Sequence, residues 1–110
     1  MNLEDIREIV TTYEKYDWKL RAVLLTGKIK TRIGKDIENA FPGAEIRDSK
    51  IDAAWFSRAS RHNREVWELR VLRKQPFALL ETFRDDLDES SRDKIRDEME
   101  TRLAGSTSEK

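Results

Sequence analysis

Four residues could do chemistry together if β-strands bring them to one face: Asp52, Glu68, Arg70 and Glu81. Three carboxylates so placed could hold Mg²⁺ or Mn²⁺, cations that take oxygen ligands, with the Arg70 guanidinium as a fixed positive charge beside them. A second set is basic. Lys28, Lys30, Arg32 and Lys35 lie near a helix start, and Arg58, Arg61 and Arg64 surround a loop, so both groups could bind phosphate. The chain has no cysteine and a single histidine, His62. That leaves no zinc site of the usual nitrogen and sulfur type and no thiolate nucleophile. His62 sits among arginines rather than beside an orienting carboxylate, so it reads as an exposed loop histidine and not as a general base. The four glycines, at 27, 34, 43 and 105, stand alone, and no phosphate loop, dinucleotide fingerprint or nucleophile elbow occurs. No cofactor is expected.

Asp52 on one strand and Glu68-Leu69-Arg70 on the next are similar to the arrangement of the restriction-endonuclease-like nucleases, an acidic residue followed on the next strand by Glu-x-Lys. The resemblance implies a metal-dependent hydrolase. Arg70 stands where that pattern carries a lysine to activate water, and an arginine does not readily lose its proton. Ordinary hairpins match the same spacing, and a structural salt-bridge ladder is the preferred reading. The group of Lys28, Lys30, Arg32 and Lys35 is likewise followed at once by Asp36 and Glu38, with no aromatic residue interleaved for base stacking. A solvated helix face is preferred there.

The elements that must position these residues come from periodicity. Residues 51–58 and 65–72 alternate roughly in period two and are rich in Trp, Val, Ile and Phe, as half-buried strands are. The polar residues 59–63 read as a five-residue hairpin connection. After a turn at 73–76, residues 77–83 supply a third strand. With Arg58 facing Arg64, Trp55 would meet Trp67 and Ile51 would meet Val71 on one apolar face, while Asp52 meets Arg70 on the other. That second face mixes Asp52, Glu68 and Arg70 with Val66, Phe56 and Leu72, and Glu81 is expected to join it. A half-apolar, half-charged face suits contact with a helix, a second subunit or a ligand.

Upstream, Asn2 can cap a helix over residues 3–16, with Leu3, Ile6, Val10 and Tyr13 on one side. Residues 18–25 read as a strand, with an extension of the first helix as the alternative. Ile29, Ile33, Ile37 and Phe41 recur every four residues and predict a helix over 28–41, ended by Pro42-Gly43. Residues 44–48 form a short strand. Asp86 or Asp88 can cap a final helix with the thin stripe Leu87, Ser91, Ile95, Met99 and Leu103, which Gly105 would end. The predicted fold is therefore α+β: a two-layer, single domain over residues 1–104, with a mainly antiparallel sheet of four to five strands, an N-terminal, a short middle and a C-terminal helix, and a disordered tail over 105–110.

Charge narrows the partners. The 110 residues carry no net charge, but the first 17 hold 2 basic and 5 acidic groups, residues 18–74 hold 14 and 7, and residues 75–110 hold 6 and 10. A nucleic-acid partner usually shows a basic overall balance, which this chain lacks, so weak nucleic-acid or phosphate binding by the two basic groups stands only as an alternative reading. No apolar run approaches the length of a membrane span, no signal-peptide pattern opens the chain, and the lack of cysteine suits a reducing cytoplasm. Alternating charge blocks and the mixed sheet face point to a non-enzymatic module that forms a homodimer or binds a protein partner.

Overall fold

The computed structural model describes residues 1–73 and 77–107; most of the turn expected at 73–76 lies outside the described residues. The chain opens on α1 (Leu3–Lys15). Asn2 accepts from the Asp5 backbone and Asp5 accepts from the Asn2 backbone, so two otherwise unpaired N–H groups are satisfied reciprocally. Asp17 turns the chain with φ 71, and β1 (Lys19–Leu25) follows, so the strand reading of this segment holds.

Thr26 caps α2 (Gly27–Ile33). The single helix predicted over 28–41 is two. Gly34 adopts φ 80 and ψ −159, a region closed to residues with a Cβ, and the chain restarts as α3 (Asp36–Ala40). Ile29, Ile33, Ile37 and Phe41 still pack into one core across the break. The α2–α3 segment is the crossover that lets β2 (Glu45–Asp48) pair parallel to β1. Then β3 (Ala53–Ser60), β4 (Arg64–Val71) and β5 (Ala78–Arg84) form an antiparallel meander, giving the order β2-β1-β3-β4-β5. The chain finishes with α4 (Glu89–Thr107), whose first turn is held by Asp88 accepting from the Ser91 backbone at 2.8 Å. Asp86 takes no part in that cap and pairs with Arg84 instead. The helix runs through Gly105, where an end was expected; residues 108–110 lie outside the described residues.

The α+β class and the mainly antiparallel five-stranded sheet are as the sequence led one to expect. The helices divide between the two sheet faces, which adds a third layer to the expected two. On one face α4 contributes Met99 and Leu103 to a core with Trp55, Trp67, Leu69 and Phe83. On the other, Ile6 and Val10 of α1 and Ile37 of α3 meet Leu20, Val23, Leu25 and Phe56.

Trp55 and Trp67 do share a face, their ring centroids 5.8 Å apart and nearly perpendicular. Their register differs from expectation by two residues: Trp55 lies opposite Leu69, and Trp67 opposite Ser57. The connection has three residues rather than five, because His62 and Asn63 both take left-handed backbone, φ 60 and 59, and close the turn tightly. A shift of two keeps every side chain on its own side of the sheet. The faces were therefore legible and the cross-strand partners were not. In β1 a bulge at Arg21 interrupts the pairing with β3, so Arg21 and Ala22 both turn toward the tryptophan side.

Candidate functional site

The corrected register separates the residues that were candidates for metal chemistry. Leu72 N donates to Asp52 O, so Asp52 lies opposite Leu72 and not Arg70. That places it about 14 Å along the sheet from the level of Glu68, at roughly 3.4 Å per residue, whereas one cation holds its oxygens within about 2.6 Å. Asp52 and Glu68 are both already engaged. Asp52 accepts from the Thr26 backbone at 2.8 Å and from its hydroxyl at 3.1 Å, fastening the start of α2 to the meander. Glu68 accepts from the Tyr13 hydroxyl of α1. Burial, reinforced by the hydrogen bond to Glu68, pushes that hydroxyl well above the usual tyrosine value. The Arg70 guanidinium donates to the Val71 carbonyl at 2.8 Å. Glu81 pairs with Trp67, which puts it on the opposite face from Glu68, so it does not join the mixed face. Among the described residues no group of three or more His, Asp or Glu is arranged to hold a metal ion.

The two basic groups lie at opposite ends of the sheet. α2 begins where β1 ends, beside Ala53, while Arg58, Arg61 and Arg64 crowd the far tip of β3 and β4, about 24 Å away along the strand. Lys30 is paired with Asp48 at 2.9 Å; Lys28, Arg32 and Lys35 are exposed. Arg58 donates to the Tyr16 carbonyl and lies over the Trp18 ring, 4.9 Å from its centroid. Arg61 and Arg64 are exposed, as is His62.

Sequence reasoning missed a cleft of about 450 Å³ between α4 and the sheet, floored by Trp55 and Trp67. Trp55 Nε1 donates to Glu100 at 2.7 Å, and Glu100 also accepts from Arg47 of β2 at 2.6 Å. Trp67 Nε1 donates to Glu65, which accepts from Arg92 at 3.0 Å. Arg96 is 9% exposed; its guanidinium pairs with Glu89 and Asp93 and sits 4.4 Å from the Trp67 centroid, and the bulge brings Arg21 to 5.0 Å from the same ring. Among the side-chain atoms of the described residues, Arg47 Nε alone is buried without a hydrogen bond, 4.0 Å from Glu45. Arg92, Arg96 and Glu100 recur every four residues beside the Ile95, Met99 and Leu103 seam, and that spacing is the one trace of the cleft in the sequence. With its arginines mostly paired to carboxylates of the same chain, the cleft works as a lock between α4 and the sheet.

The sheet ends on β2 at one side and on β5 at the other, and the β5 edge is open. Val71 N donates to Phe77 O at 2.8 Å, which fixes the alternation: odd-numbered residues of β5 direct their backbone groups to β4, and even-numbered ones direct theirs outward. At the far end the Arg84 carbonyl already accepts from Arg92 at 2.8 Å and from Leu87 N at 3.1 Å. The outward groups of Ala78, Leu80 and Thr82 have no partner among the described residues. Three large hydrophobic side chains are exposed in the described residues, Tyr16, Phe77 and Leu80, and two of them belong to this edge; Leu80 is 58% exposed. Comparison with family models, curated proteins and solved structures finds no match for this chain.

Proposed function

We propose that this chain is a non-enzymatic, cytoplasmic binding module that works by associating with itself as a homodimer. The observation that carries this reading is Leu80, a large aliphatic side chain left mostly in water on an unpaired edge strand. Open strand edges are templates for pairing, and soluble proteins blunt them with charge, proline or a covering element unless the edge is used. The outward positions Ala78, Leu80 and Thr82 carry no charge. The engagement of Asp52 with Thr26 and of Glu68 with Tyr13 supports the same reading, since both carboxylates join elements of the fold. No helix among the described residues is long and apolar enough to cross a membrane. Sedimentation equilibrium over a wide dilution series tests the proposal: a mass that rises from monomer to twice the 13.0 kDa chain is the expected result. A monomer mass at every concentration would remove it.

A further inference from the structure

Resting on that reading, we infer that the dimer forms by antiparallel pairing of β5 with β5 of a second copy, centred on Leu80, so that two five-stranded sheets become one. Three observations choose the centre. A two-fold axis through an antiparallel pair needs outward-directed backbone groups placed symmetrically about it, and the free set, Ala78, Leu80 and Thr82, is symmetric about Leu80. Pairing there joins Leu80 to Leu80 of the second copy and Ala78 to its Thr82, each pair exchanging both bonds, and every free group is used. A centre on Thr82 would oppose Leu80 to Arg84, whose carbonyl is already occupied by Arg92 and Leu87. A centre on Glu81 needs Arg84 as well, and sets two glutamates directly across the strands, a destabilising like-charge pair. The Leu80 centre instead covers the exposed leucine with its own copy on the α1 side of the sheet, where Leu80 lies opposite Glu68 within the chain. On the α4 side it sets the exposed Phe77 opposite Phe83 of the second copy.

The chain lacks cysteine, so single-cysteine variants report the register directly. Directly opposed, hydrogen-bonded residues have Cα atoms about 5.5 Å apart, within disulfide reach. Under mild oxidation Leu80→Cys is expected to give a covalent dimer. Ala78→Cys and Thr82→Cys alone should not, but an equimolar mixture of those two should. All three positions are exposed, and circular dichroism checks that each variant keeps its fold. Leu80→Pro supplies a second measurement: its N–H points away from β4, so the ladder within the chain is intact, while the dimer loses two hydrogen bonds and should weaken by about tenfold or more. Cross-linking through Thr82→Cys alone overturns the Leu80 centre. A native dimer by mass that no variant cross-links, and that Leu80→Pro leaves unchanged, overturns the β5 interface while self-association stands. A monomer at all concentrations overturns both.

Discussion

Tyr13 shows how one side chain can join two layers. Its ring stacks on Phe56, with centroids 4.0 Å apart, and its hydroxyl reaches over the sheet to Glu68. Removing the hydroxyl in Tyr13→Phe keeps the stacking and leaves a half-buried carboxylate short of a donor, at an expected cost of about 1–2 kcal/mol at neutral pH. The pH dependence has a definite sign. The folded state holds the Tyr13 proton beyond its ordinary value of 10.0, so the unfolded chain releases it first. Stability from this group is complete below that value and is lost as pH rises through it toward the folded value. Urea titrations should therefore show the gap between wild type and Tyr13→Phe narrowing as pH is raised above about 10. A constant gap would mean that the hydroxyl is not held by the fold. No feature of the sequence marked this pair, because Tyr13 and Glu68 lie 55 residues apart and meet only once α1 is laid on the sheet.

The β3–β4 hairpin depends on two residues in a conformation their side chains disfavour. His62 and Asn63 both have φ near 60, which Asn tolerates and Gly adopts freely. Replacing the pair by Asn-Gly, residues that take this left-handed backbone at less cost, should raise stability by about 1 kcal/mol and Tm by a few degrees in a thermal scan. An unchanged or lowered Tm would argue against the tight turn. The same turn explains what sequence could and could not reveal. Alternation in residues 51–58 and 65–72 shows which side chains share a face, and it puts both tryptophans on the face they occupy. Register depends on the length of the connection, and Ala59 and Ser60 carry no pattern that says whether they are strand or loop. Asp52 and Glu68 were drawn together by that two-residue error alone. Gly34 gives a similar lesson: a hydrophobic stripe records the core that a segment faces, and a single backbone geometry decided that the segment is two helices. The cleft beneath α4 left only a faint trace, since its members come from β1, β2, β3, β4 and α4.

At the scale of the molecule, two physical causes of self-association compete. The sequence offers charge blocks, acidic at both ends and basic between them. The fold offers the β5 edge. Part of the charge is answered inside one chain: Arg47 of the basic middle by Glu100 of the acidic end, Glu65 by Arg92, and Arg96 by Glu89 and Asp93. Lys30 finds Asp48 within the middle block itself. Pairs consumed within the monomer cannot also steer a second copy, whereas backbone hydrogen bonds and a leucine contact are insensitive to ionic strength. Attraction between exposed blocks would fade as added salt shortens the screening length from about 10 Å at 0.1 M to about 3 Å at 1 M. The dimer constant should thus change less than about twofold over that range by sedimentation equilibrium, set against the roughly tenfold loss expected for Leu80→Pro. A constant that collapses with salt while Leu80→Pro leaves it untouched would return the association to the charge blocks and leave β5 a bare edge.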